Sequence, residues 1–240
     1  MGSNADGGVE KKMSIIQNLP DIIAAIGGLG TAAFGLVDAT KPFAGGVNRI
    51  GFKRIEAAVR SLTPGAAAKG LTQDKILDTL RANWYNGKDI ASQKSIAKSL
   101  IKVSLNSGNA AALAKATGVD AGLLKTVAEK IASGSALQPN ESDAYARFDF
   151  ILTALLDEVY QHSDQAYTNG TRILAFGFSL LLAFVGGWSL KGGFFGDYLH
   201  SNDLGLALLV GLLATPLAPI AKDLSTALAT AVNTMQLVKK

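Results

Sequence analysis

Two apolar stretches near the end of the chain, Ile173 to Leu190 and Leu204 to Ala221, each run without an internal charge for about the length of a bilayer's hydrocarbon core. Only a short loop rich in glycine and aromatic residues separates them. A third apolar stretch, Ile22 to Val37, lies near the N-terminus. The pattern predicts an all-α integral membrane protein with three transmembrane helices and a cytoplasmic helical domain inserted between the first and the second.

Charged residues make up 18% of the chain, below the quarter or so that soluble domains carry. The shortfall is local, because the middle of the chain is normally charged. A net charge of +4 is too small and too dispersed for a nucleic-acid binder. It suits contact with membrane lipid instead. With no cysteine and two histidines, thiolate sites, disulfides and a His-based metal site are excluded. No metal or cofactor is expected.

The first span is placed at residues 18–41, after an N-terminal tail over 1–17. Asn18-Leu19-Pro20-Asp21 combines a capping residue, an early proline and a first-turn acid, all favourable at a helix start. Lys11 and Lys12 before an apolar run share the plan of a cleavable signal peptide, but the run is long for one, so a retained span is expected. Lys41, Arg49, Lys53, Arg54, Arg172 and Lys222 flank one side of the spans, and Lys11, Lys12 and Lys191 the other. That excess places the central domain and C-terminus in the cytoplasm, with a bacterial inner membrane as the expected location. Trp188, Phe194, Phe195 and Tyr198 would then form an aromatic belt at the far interface.

Residues 42–64 read as a basic amphipathic helix. Its apolar positions either meet the membrane interface or pack on the central domain, and Arg49, Lys53, Arg54 and Arg60 are candidate lipid-headgroup contacts. Residues 71–164 read as short helices with clean stops. Thr72, Asn109 and Asp120 are the caps, and Gly87, Gly108, Gly118 and Gly134 the terminators. Transmembrane helices follow at 170–190 and 203–221, then an amphipathic C-terminal helix over 222–240 with an apolar row at Ile220, Leu224, Leu228, Val232 and Met235.

Three strings invite a functional reading and lose it on context. Gly28-Leu29-Gly30-Thr31-Ala32-Ala33 imitates a dinucleotide fingerprint, but it sits inside an apolar helix whose N–H groups are already bonded. Residues 110–132 have the rhythm of a helix-turn-helix, yet the second helix offers Lys125, Thr126 and Lys130 beside Glu129 and no Arg, Asn or Gln for base edges. Asp157, Glu158, His162 and Asp164 have catalytic side-chain types, but a single histidine makes a poor metal set. No catalytic residue is assigned.

Small residues at four-residue spacing carry more weight. Gly27, Thr31 and Gly35, with Gly28 and Ala32, mark the first span. Ala175, Ser179, Ala183 and Gly187 mark the second, and Ala207, Gly211 and Thr215 the third. Such rows let helices approach closely in lipid, where van der Waals contact replaces the hydrophobic effect. They are expected to serve helix packing within the chain or oligomer interfaces, with contacts between subunits favoured, making the chain a homo-oligomer or a subunit of a larger membrane complex. Pro216 and Pro219 are expected to kink the third span. Asp38, Lys41, Lys222 and Asp223 are expected at the membrane boundary, either marking the water interface, the favoured reading, or forming a charged cluster. These features suggest a non-enzymatic membrane scaffold or anchor. The alternative is an oligomeric channel lined by the kinked third span, and by architecture alone the hydrophobic pair resembles the helical hairpin of pore-forming toxins.

Overall fold

In the computed structural model, which describes residues 6–43, 45–64, 67–68 and 71–238, the chain is helical almost throughout. The exception is a minimal antiparallel ribbon of two-residue strands, β1 (Ala67–Ala68) and β2 (Leu71–Thr72). The helices are α1 (Asp6–Ala39), α2 (Asn48–Leu62), α3 (Gln73–Tyr85), α4 (Ile90–Ser104), α5 (Ala110–Thr117), α6 (Ala121–Ser133), α7 (Pro139–Lys191), α8 (Phe195–Leu199) and α9 (Asn202–Val238). They fall into two units. Residues 41–169 form a helical domain, and α1 joins residues 170–240 in a second unit.

The helical domain follows its periodicity. α7 contributes Phe148, Leu152, Leu156 and Tyr160, each four residues from the next and each fully or almost fully buried. They meet Ile76, Leu77 and Leu80 of α3, Ile101 of α4, Leu113 of α5 and Leu124 of α6 in one core. α2 inserts Phe52, Ile55, Val59 and Leu62 into the same core. Its apolar side is therefore occupied by bundle packing, and the domain begins ahead of residue 71. Gly51 permits that approach, since a Cβ there would stand 2.4 Å from the Trp84 indole. Trp84 Nε1 in turn donates to the Asn48 carbonyl at 2.9 Å.

Local signals end these helices as the sequence suggests. The Thr72, Asp89 and Asp120 side chains accept from Lys75 N, Ser92 N and Leu123 N, covering first-turn donors. Gly118 and Gly134 close α5 and α6 with φ of 67° and 72°, where a side chain would be strained. Asn109 behaves differently from the expected cap. Its amide donates to the Ser104 carbonyl and its oxygen accepts from Asn106 N, so it fastens the preceding turn.

Two boundaries differ from the sequence expectation. α1 starts at Asp6 and runs through Pro20, so the start signals around Asn18 mark no boundary. The last helix of the domain and the second span are one continuous α7 of 53 residues, which stays helical through Asn169-Gly170, the glycine that could have divided the polar stretch from the apolar one. α9 likewise continues through Pro216 and Pro219. Each proline lacks an N–H, which leaves the Leu212 and Thr215 carbonyls without their usual intrahelical donors. The apolar row at Leu224, Leu228, Val232 and Met235 lies outside the described side chains.

Candidate functional site

Among the described residues three helical segments are long and apolar enough to cross a membrane: Asp21–Ala39, the apolar end of α7, and Asn202–Asp223. Their packing is inverted relative to a bundle built for water. The buried positions are small: Ala33 of α1, Ala175, Ser179 and Ala183 of α7, and Ala207, Ala214, Ala218 and Ala221 of α9. The large apolar side chains point outward, with Ile173 70% exposed and Leu206 63% exposed. In water an apolar surface of this extent is unfavourable. In lipid it is the ordinary state, and small residues inside let the helices touch.

α7 and α9 form an antiparallel hairpin. A Cβ on Gly187 would lie 3.0 Å from Ala207 Cβ, and one on Gly211 would lie 2.9 Å from Leu180 Cα. Ser179 Oγ donates to the Gly211 carbonyl at 2.9 Å and stands 3.2 Å from Thr215 Oγ1. The hairpin closes with the Lys191–Asp203 ion pair at 3.1 Å. α1 lies against α9 even more tightly. A Cβ on Gly27 would fall 2.0 Å from Ala221 Cβ, and one on Gly30 would fall 2.0 Å from the Ala214 carbonyl oxygen.

The small-residue rows therefore divide. Ala175, Ser179, Ala183, Gly187, Ala207, Gly211 and Thr215 are taken up in packing within the chain. On α1 the row Gly27–Thr31–Gly35 splits, because the inward face is Gly27, Gly30, Ala33 and Val37, with steps of three and four. Thr31 and Gly35 instead join Gly28 and Ala32 on an exposed ridge. A Cβ on Gly28 or Gly35 would meet nothing within 4 Å. Gly30 was not singled out in the sequence, although its three-residue step from Gly27 was the available signal. No family model matches this chain, and no curated protein or solved structure matches it either.

The mid-span hydroxyls are satisfied internally. Ser179 and Thr215 meet across the hairpin, and Thr31 Oγ1 donates to the Gly27 carbonyl at 3.0 Å. The aromatic residues at the hairpin end interlock, with Phe184 edge-on to Phe195 and Tyr198, and Trp188 edge-on to Phe195. Tyr198 is fully buried, whereas Phe194 is exposed. Of the expected boundary charges, Asp38, Lys222 and Asp223 are exposed and Lys41 is half-buried. Ala221 seats beside Gly27, and Asp38 stands eleven residues, roughly 16 Å, farther along α1.

In the helical domain several charged groups are engaged in structural pairs. Lys102 and Lys98 bond the two oxygens of Asp149 at 2.8 and 3.0 Å. Lys102 first, then Lys98, holds the Asp149 carboxyl below the usual carboxylate range, and Asp149 raises Lys102 in return. Glu141 is lowered by its bond from Lys130 and then by the Gln138 N–H. Burial raises the Tyr160 phenol. Of the residues with catalytic side-chain types, Asp157 pairs with Lys94, while Glu158, His162 and Asp164 are exposed. On the second helix of the helix-turn-helix-like pair, Lys130 is bonded to Glu141 and the Thr126 hydroxyl to the Gly122 carbonyl. Among the basic residues of α2, Arg60 is bonded to Glu56 and Gln73, and Arg49, Lys53 and Arg54 are exposed.

Proposed function

We propose that this chain is a non-enzymatic membrane scaffold. It self-associates through α1 and presents its helical domain to the cytoplasm, where that domain anchors or organises other components. The observation that carries this is the exposed ridge Gly28, Thr31, Ala32 and Gly35. Elsewhere the exposed surface of the described membrane unit is mostly Leu, Ile, Val and Phe, which fill space against lipid chains, with single small residues such as Gly177 and Gly205 between them. A ridge of glycines and small side chains fills that space poorly but accepts another helix closely. The internal pairing of Ser179, Thr215 and Thr31 favours a scaffold over a channel, because a conducting path needs polar groups facing it.

Native mass spectrometry of the detergent-solubilised protein tests this. The wild-type chain is expected as a discrete oligomer, and the double variant Gly28→Ile/Gly35→Ile as a monomer with unchanged helicity. A monomeric wild-type chain would refute self-association. An oligomer that survives both substitutions would place the interface elsewhere and refute the assignment to α1.

A further inference from the structure

Beside the hairpin, α1, α7 and α9 enclose a groove of about 740 Å³. Ile26, Leu29, Leu182, Leu206 and Val210 supply apolar walls, and Gly186 helps leave it hollow, since a Cβ there would meet nothing within 4 Å. The groove is open on its outer side, where Leu206 and Ile22 are exposed. Its charged lining residues are Lys191 and Asp203, paired at 3.1 Å, with 31% and 57% of their side chains exposed. They sit at the hairpin end, next to Trp188 and the interlocked aromatic residues, where the apolar windows stop. A groove with apolar walls and one ion pair at its mouth has the chemical layout of an amphiphile.

We propose that this groove is a binding site for one phospholipid bearing a primary amine, of the phosphatidylethanolamine class. An acyl chain lies along the apolar walls, the phosphate takes N–H donors from Lys191, and the lipid ammonium donates to Asp203. An ammonium has three donors and a carboxylate two oxygens, so a single Lys–Asp contact leaves both groups capacity for a ligand. The pairing selects among headgroups. A primary ammonium makes charge-assisted hydrogen bonds to a carboxylate, whereas the trimethylammonium of phosphatidylcholine has no N–H to give. The hydroxyls of phosphatidylglycerol offer Asp203 only neutral donors. The inference rests on the membrane placement argued above and does not depend on self-association.

The test is native mass spectrometry of the full chain in micelles doped with equal amounts of phosphatidylethanolamine, phosphatidylcholine and phosphatidylglycerol of identical acyl chains. The expected result is a one-lipid adduct with phosphatidylethanolamine retained about tenfold over the other two, as one charge-assisted hydrogen bond implies. Asp203→Asn is expected to erase the preference over phosphatidylcholine, and Lys191→Met to weaken all three. Gly186→Phe, whose Cβ would meet nothing within 4 Å, places a ring in the groove and is expected to remove the adduct while leaving the protein folded. Equal retention of the three lipids, no retained lipid, or an adduct that survives Gly186→Phe would overturn the proposal. A monomer that retains phosphatidylethanolamine would count against self-association alone, and an oligomer without headgroup preference against this site alone.

Discussion

Gly30→Leu loosens α1 from α9 and lowers the melting temperature of the solubilised protein, whereas Gly177→Leu, at an open position on α7, leaves it unchanged. The new Cβ at position 30 would stand 2.0 Å from a backbone oxygen, that of Ala214, and 3.0 Å from Ala218 Cβ. A carbonyl in a helix cannot swing aside, so the whole of α1 must move outward. Overpacking of this kind costs about 1–3 kcal/mol, and the upper end is expected because the displaced helix also loses its contact at Gly27. At position 177 the added side chain enters open space. Melting followed by Trp188 fluorescence separates the two variants. Equal melting would mean that α1 does not pack on α9 through Gly30.

Phe148→Ala is expected to remove about 3–5 kcal/mol from the helical domain, the usual range for deleting a buried aromatic ring. Phe148 is fully buried, stacks on Tyr145 with ring centroids 6.1 Å apart, and stands among side chains from five other helices. A domain of this size has about 5–15 kcal/mol in total, so the variant is marginal. Phe150, two residues farther along α7, is 76% exposed, and Phe150→Ala is expected to change stability by less than about 0.5 kcal/mol. Urea unfolding of the full chain, followed at Trp84 in the same core, measures both. Similar losses for the two would contradict the assignment of the α7 core face.

The helical domain was largely legible because its signals are local and mutually consistent. Thr72, Asp120, Gly118 and Gly134 act within one turn of their own position, so the sequence around each suffices. Asn109 was harder to assign, since a cap and a turn staple use the same amide and only the neighbouring Asn106 and Ser104 decide between them. Continuity was the weak point. Asn18-Leu19-Pro20-Asp21 looks like a start, yet a proline within a helix removes one donor and does not end a helix that other contacts support. The small-residue rows were visible, but which of them serve the chain itself depends on tertiary packing. The hairpin packs through residues at four-residue spacing, while on α1 the inward face uses the Gly27-to-Gly30 step, and spacing alone could not choose. The Lys191–Asp203 pair was legible only as two charges beside spans. Its place at the mouth of a groove depends on the hairpin closing.

The proposed scaffold requires that α1, the apolar end of α7 and α9 cross a membrane, which would put the helical domain on one side and the α7–α9 turn on the other. The chain contains no cysteine, so a single introduced thiol reports its own side. Lys125 of α6 and His200 after α8 are both exposed. In sealed inside-out vesicles, an impermeant maleimide is expected to label Lys125→Cys at once and His200→Cys only after the membrane is opened. Immediate labelling of both positions would contradict the three-span account.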